Sequence, residues 1–171
     1  MSSSVDIELR AIEPEDATMM YMWENDRELW RFGRTHAPLS LHQIREYIDG
    51  YSGDVYAEGQ LRLMICVEGK SVGMVDLYDI DAVNRRAGVG IMVSKEWQHR
   101  GVGQLAIARL AEYSGNVLGL HQLWCVCGEE NTHALQLFRS QGFSINGRLR
   151  SWVRIGQSYR DAYLLQRLLV N

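Results

Sequence analysis

The densest chemistry in this chain lies in one segment, Val93-Ser94-Lys95-Glu96-Trp97-Gln98-His99-Arg100-Gly101-Val102-Gly103-Gln104. It follows an apolar, β-rich run and opens an amphipathic one, which places it between a strand and a helix. Glycines at such a junction let the backbone approach a ligand closely. The first N–H groups of a helix lack intrahelical partners and favour anions. Arg100 and His99 add positive character. The segment therefore reads as a cradle for phosphate or pyrophosphate. A nucleoside-triphosphate loop needs Gly-Lys-Ser/Thr after the turn, and the chain has none there. Gly101-x-Gly103-x-x-Ala106 fits the dinucleotide fingerprint, and Glu129 follows the next strand. That fold, however, needs several further β-α units, and only one helix and a strand pair remain after Glu129. A tight turn that binds nothing is the third reading of the glycines.

The elements that must position this segment are legible from periodicity and punctuation. Ile7 to Ile12 alternates as a first strand. Glu13-Pro14-Glu15-Asp16 opens a helix, with Pro in its first turn and acids at its positive end. That helix should fade around Asn25. Ser40-x-x-Gln43 is a capping-box pattern, with Leu39 and Ile44 placed as a hydrophobic staple, and its helix should stop near Gly50. Tyr51 to Gln60 reads as a loop. Leu61–Glu68, Val72–Asp79 and Arg86–Val93 form three strands whose short connections imply an antiparallel meander. A helix runs from the glycines to about Leu118, and Leu123–Cys127 is a buried strand. Asn131 caps another helix that ends at Gly142. Phe143–Ile155 and Ser158–Leu169 close the chain as a strand pair. The order β α α β β β α β α β β predicts a mixed α/β (α+β) fold.

Composition bounds what this fold can do. The chain has 171 residues, 18 Lys+Arg against 21 Asp+Glu, 46% hydrophobic and 23% charged residues. No repeat or low-complexity linker divides it, so residues 1–171 are expected to form one continuous domain. Its core is ample and disorder is excluded as the main state. The net charge of −3 argues against a nucleic-acid binder working through bulk charge. No run approaches a membrane span, and the N-terminus has no signal-peptide pattern. Cys125 and Cys127 alternate on one strand face, and Cys66 lies in an apolar run. They are expected to be reduced, buried thiols of a cytoplasmic protein, with no metal. Five tryptophans are many for this length.

Gln98-x-x-Gly101-x-Gly103 after a strand resembles the acetyl-CoA motif of the GNAT N-acetyltransferase superfamily, Gln/Arg-x-x-Gly-x-Gly/Ala. Asn131-x-x-Ala134-x-x-Leu137-Phe138-x-x-x-Gly142-Phe143 resembles that family's Asn-x-x-Ala-x-x-Leu/Ile-Tyr-x-x-x-Gly-Phe. The strand order matches as well. Leu9-Arg10 with Glu15-Asp16 and Trp23-x-Asn25-Asp26 is similar to the ribosomal-protein N-terminal acetyltransferase branch. Val75-Asp76-Leu77 through Asn84-Arg85-Arg86-Ala87-Gly88 looks still more like the bacterial spermidine N-acetyltransferases. The resemblance implies a single-domain GNAT fold, with a mostly antiparallel mixed sheet, helices on both faces and a splayed central strand pair.

Carried over by position, the resemblance implies that backbone amides from Gln98 through His99, Arg100, Gly101, Val102 and Gly103 to Gln104 hold the pyrophosphate of acetyl-CoA. Ile91, Met92 and Val93 would hydrogen-bond its pantetheine arm, and Asn131 would contact it too. Phe138 would lie beside it. The acceptor would be a primary amine, a polyamine or another small amine. A protein N-terminal α-amine is the alternative substrate, and a non-catalytic CoA-binding regulatory domain is the competing class. The resemblance leaves room for a homo-oligomer.

Amine acetylation needs a neutral nucleophile, yet an alkyl ammonium is only about one part in a thousand neutral at pH 7. Supplying the free amine costs roughly 4 kcal/mol unless the site helps. The family's usual general acid is the Tyr of the second motif, and here it is Phe138. Gly88 stands where relatives can carry a carboxylate. Three arrangements would accommodate this. The thiolate leaves unaided and takes the amine's proton; Tyr78 or Tyr159 substitutes as acid; or the chain binds acetyl-CoA with little or no transfer. Asp76, Asp79 and Asp81 are candidates for amine recognition, but Asp76 and Tyr78 share one strand parity and Asp79 and Asp81 the other. Glu24 lies at the end of the proposed acceptor helix, flanked by Trp23 and Trp30.

Overall fold

The computed structural model describes residues 5–30 and 36–169. Strand β1 (Glu8–Arg10) leads through a 3-10 turn (Pro14–Asp16) into α1 (Ala17–Glu24), and a short α2 (Arg27–Trp30) follows. Helix α3 (Leu41–Gly50) starts with the expected capping box: Gln43 N donates to Ser40 Oγ at 3.1 Å, and Ser40 N donates to Gln43 Oε1 at 2.8 Å. The segment read as a loop after Gly50 contains a further short helix, α4 (Val55–Glu58). Asp54 caps it by accepting from Tyr56 N and Ala57 N, a pattern too short to register as helical periodicity.

Strands β2 (Leu61–Val67), β3 (Lys70–Asp81) and β4 (Arg86–Val93) form the antiparallel meander. Helix α5 (Val102–Asn116), strand β5 (Gln122–Gly128), helix α6 (Thr132–Ser140) and the hairpin β6 (Ser144–Ile155) and β7 (Ser158–Leu168) complete the chain. The seven strands make one sheet in the order β1-β2-β3-β4-β5-β7-β6. Every pairing is antiparallel except β4 with β5, which is parallel. No described helix is long and apolar enough to cross a membrane.

Alternation along the strands sends side chains to two separate cores. On one face Ile65, Val75, Leu77, Val89, Leu123 and Leu165 join Val102, Ile107 and Leu110 of α5 and Phe138 of α6. On the other, Met64, Cys66 and Met74 pack with Ala17 and Met20 of α1 and Ile44 of α3. One irregularity decides which residues meet between the faces. Cys66 pairs with Ser71 but Ile65 pairs with Gly73, so Val72 is an extra residue, a β-bulge. Gly73 follows it where a Cβ would lie 2.2 Å from the Met92 carbonyl oxygen, a position only glycine can fill. Beyond the bulge the register shifts by one, and Arg62 comes to stand opposite Asp76. A part-buried ion pair ties β1 to the turn before α1: Arg10 donates to both Asp16 oxygens, at 2.7 and 2.9 Å.

Candidate active site

The sheet parts where its strands are parallel. β4 and β5 pair at Arg86–Gln122, Ala87–Leu123 and Gly88–Trp124, and no further pairing follows. Past that point the two strands part and leave a V-shaped gap, with no ladder between them. A cavity of about 400 Å³ occupies it. Ile91, Val93, Cys125, Cys127, Ala134, Leu137 and Phe138 line it from the α5/α6 face, and Trp23, Glu24, Trp30, Arg62, Asp76 and Tyr78 from the α1 face. One passage thus runs through the sheet. The unmatched strand backbone suits a peptide-like ligand, which can complete the ladder.

The cradle segment sits at one end. Gln98 Nε2 donates to the Val93 carbonyl at 3.0 Å and so braces the loop against the end of β4. His99 and Gly101 have φ of 60° and 82°, so the loop winds through two left-handed residues. The first helical bond at this end runs from Leu105 N to the Gly101 carbonyl, at 3.1 Å. The amides of Val102, Gly103 and Gln104 precede it, as at any helix start, and make an anion-binding concavity with the left-handed residues. Val102 is buried in the core, so only its backbone serves a ligand. A Cβ on Gly103 would meet Leu137 Cδ2 at 3.2 Å, so this glycine also sets how closely α5 approaches α6. Arg100 stacks on Trp97, with the guanidinium carbon 5.1 Å from the ring centroid. The His99 and His133 rings approach to 4.8 Å, tilted by 59°, and His133 lines the cavity.

Asn131 caps α6 through its side-chain oxygen, accepting from Ala134 N at 3.2 Å, and still lines the cavity. Phe138 is buried edge-on against Phe143, with ring centroids 5.1 Å apart, and brings no hydroxyl. Tyr78 stands elsewhere, at the apex of the V. Its ring lies over Gly88, where a Cβ would fall 2.3 Å from Cε2, and meets Trp124 edge-on at 5.3 Å. A β4 side chain at position 88 and the Tyr78 ring exclude one another. The absent carboxylate and the tyrosine are therefore a single structural fact.

Of the candidate acids, Glu24 and Asp76 come together, and Arg62 holds them. Its Nε donates to Asp76 Oδ1 at 2.7 Å, Nη2 to Asp76 Oδ2 at 2.9 Å and Nη1 to Glu24 Oε1 at 2.6 Å. Burial opposes the guanidinium's charge, but Asp76 and then Glu24 outweigh it and hold its pKa above the ordinary value. Arg62 is not among the residues that the sequence singles out. Its signal is a lone charge in an otherwise apolar strand, and only the bulge aligns it with Asp76.

Asp79 and Tyr159 are not brought to the cavity. Asp79 is exposed at a left-handed bend (φ 48°), where the β3–β4 register breaks. Tyr159 is 57% exposed near the β6–β7 turn, opposite Arg154. Trp30 donates its Nε1 to the Glu24 carbonyl at 2.6 Å, which fixes it as a wall of the cavity. Trp152, 61% exposed, lies outside both cores. The three cysteines are free and buried; Cys125 and Cys127 line the cavity.

Comparison with known proteins agrees with this geometry. The model of the acetyltransferase (GNAT) domain matches residues 6–144. The chain is 28% identical over 162 residues to the spermidine N(1)-acetyltransferase of Escherichia coli K12, covering 95% of this chain and 86% of that protein. It is 26% identical over 167 residues to the enzyme of that name from Vibrio cholerae, covering 95% of each. The crystal structure of spermidine N-acetyltransferase from Vibrio cholerae, in complex with CoA and spermine, superposes with a TM-score of 0.85 at 23% identity over 95% of each chain. A parallel strand pair that opens onto a glycine-bearing helix start, matched by the family model over most of the chain, leads to one assignment: this protein belongs to the GNAT acetyltransferase family.

Proposed function

We propose that the protein, as one acetyltransferase unit over residues 1–171, transfers the acetyl group of acetyl-CoA to a primary amine of the polyamine class. The observation that carries this reading is the continuity of the cavity, from Gln98 at the head of the glycine loop to the acidic, tryptophan-walled end at Glu24 and Asp76. Acetyl-CoA supplies an activated acyl thioester. The loop amides would hold its pyrophosphate, the backbone of Ile91, Met92 and Val93 its pantetheine arm, and Asn131 would flank that arm. Trp23 and Trp30 suit the methylenes and charge of an aliphatic ammonium, since aromatic faces attract both. The named activity of the curated relatives supports the same acceptor class.

With Phe138 unable to donate a proton, Tyr78 is the side chain assigned to hold one at the apex of the V. A leaving thiolate is itself only weakly basic, with a pKa near ~8.5, which lessens the help it needs. A cytoplasmic location belongs to this reading, because reduced thiols and acetyl-CoA coexist there. The ligands proposed are small molecules and not nucleic acid, in line with the charge of −3.

The test has two arms. Acetyl-CoA should raise the melting temperature where NAD does not. Incubation with acetyl-CoA and a panel of polyamines, simple amines and peptide N-termini should release free thiol fastest with polyamines. Release no faster than the no-acceptor control with every amine would refute transfer, and release with peptides alone would refute the acceptor class.

A further inference from the structure

We propose that Cys125 and Cys127 form a modification site in the wall of the cavity, which captures one half of a CoA disulfide as a mixed disulfide and so closes the site to acetyl-CoA. This rests on the acetyl-CoA reading above.

The sheet sorts the three cysteines of the chain between its faces. Cys66 packs with Met20 of α1 and Ile44 of α3, and its sulfur lies 3.8 Å from Ser71 Oγ. Cys125 and Cys127 alternate on β5, point to the α5/α6 face and line the cavity. Cys125 is the first residue past the last rung between the parted strands, Gly88–Trp124. Three residues on from that rung along each strand, Ile91 and Cys127 stand level across the gap. An arm that hydrogen-bonds the backbone of Ile91, Met92 and Val93 therefore passes in front of the two sulfurs. Ile91, Val93, Ala134, Leu137 and Phe138 around them are apolar, so the pair places two nucleophiles in an apolar slot.

A thiol reacts as its thiolate, and burial alone would keep both cysteines inert. Each has the other for company. Hydrogen bonding from Cys125 brings the Cys127 thiol below its ordinary pKa against the effect of burial, while Cys127 and then burial push Cys125 up. The first thiolate of the pair thus forms at Cys127. The two are poorly placed to bridge each other. Residues two apart on a strand are about 6.6 Å between Cα atoms with parallel side chains, at the far end of disulfide geometry. The fitting electrophile is an incoming disulfide that the cavity recognises.

In the exchange, the Cys127 sulfur attacks one sulfur of CoA disulfide. A new S–S bond joins it to the CoA held in the cavity, the S–S bond of the reagent breaks, and the second CoA leaves as a thiolate that takes up the proton Cys127 gave. The Cys127 sulfur is oxidised and the departing sulfur reduced, so the exchange needs no other oxidant. The passage through the sheet offers the departing half a way out on the α1 face.

The experiment incubates the reduced full chain with CoA disulfide or with glutathione disulfide, and follows adducts by mass spectrometry of the intact protein and its peptides. CoA disulfide should add a single CoA, on the peptide that holds Cys125 and Cys127. It should do so at least about 10-fold faster than glutathione disulfide adds glutathione there, because the bound arm raises the local concentration of the reacting bond. Acetyl-CoA should slow the adduct several-fold, dithiothreitol should remove it, and amine acetylation should fall in step with it. C127A should lose the adduct, with each variant's rate referred to its own untreated protein. No adduct on that peptide, equal rates with the two disulfides, equal labelling of Cys66, an internal Cys125–Cys127 disulfide in place of the adduct, or a full adduct in C127A would each overturn the proposal. If C127A does not fold, the wild-type arms decide alone. If acetyl-CoA raises the melting temperature and no adduct forms, this inference falls by itself. If acetyl-CoA neither raises the melting temperature nor protects, the acetyl-CoA reading falls with it.

Discussion

Replacing Gly88 by alanine tests whether the Tyr78 ring and the bare β4 backbone depend on each other. The new Cβ would lie 2.3, 2.5 and 2.8 Å from Cε2, Cζ and Cδ2 of that ring. An ordinary carbon contact is about 3.5 Å, so the ring must withdraw by about 1.2 Å. It then leaves its edge contact with Trp124, worth roughly 0.5–1.5 kcal/mol, and strains its neighbours. Overpacking of this kind typically costs about 1–3 kcal/mol. For a domain of this size that lowers Tm by about 3–10 °C. Urea denaturation of G88A, Y78A and the double variant closes a cycle that isolates the pair. Once Tyr78 is alanine, G88A should cost almost nothing, a coupling of about 1–2 kcal/mol. In an otherwise wild-type chain G88A should also slow acetyl transfer, because the displaced ring no longer stands at the apex of the V. A G88A protein within about 0.5 kcal/mol of wild type would refute the argument. So would an equal loss in both backgrounds, since it would place the strain in the backbone of β4.

Three further outcomes are expected. D16N should lose about 2 kcal/mol at pH 7, because it removes the bidentate, charge-assisted partner of a part-buried Arg10. The hydrogen bonds from Arg10, with that from the Glu13 amide, hold the Asp16 carboxyl below its usual range against the effect of burial. Its contribution is complete above the unfolded value near ~3.9 and is lost as pH falls through the lower folded one, so wild type and D16N should converge near pH 2 in acid denaturation. G103V should weaken acetyl-CoA binding at least about 10-fold by calorimetry, since its side chain presses on Leu137 at the mouth of the cradle, and unchanged affinity would remove that glycine from the site. S40A should cost about 1 kcal/mol in urea denaturation, with m unchanged, through loss of the capping box of α3.

The parts of the fold that announce themselves in sequence are those fixed by local chemistry. Ser40 and Gln43 cap α3 within three residues of each other, Gly101 takes a left-handed φ at the start of α5, and Asn131 caps α6. Alternation places Asp76 and Tyr78 on one face and turns Asp79 away from them. The cluster of Glu24, Asp76 and Arg62 is only half legible, because its third member depends on a distant irregularity. Val67 and Lys70 flank the Glu68-Gly69 turn, and a regular hairpin continued from there would set Arg62 opposite Val75. The extra residue at Val72 moves it opposite Asp76, and nothing in the apolar run from Leu61 to Val67 marks where a bulge will fall. The short helices at Arg27–Trp30 and Val55–Glu58 are illegible for a different reason. Four residues complete barely one turn, so capping and tertiary contacts decide them.

The parting of β4 from β5 makes the sheet two panels, β1–β4 and β5–β7, joined edge to edge by three rungs where the flanking β3–β4 and β5–β7 ladders have seven each. Such a seam is a weak line along which the sheet can breathe, and its parted edges border the cavity. A peptide-like arm laid between them would supply the missing rungs and lengthen the joint from within. The ligand then acts as a splint. Amides on both sides of the seam should exchange with solvent more slowly once it is in place, far beyond the few that touch it.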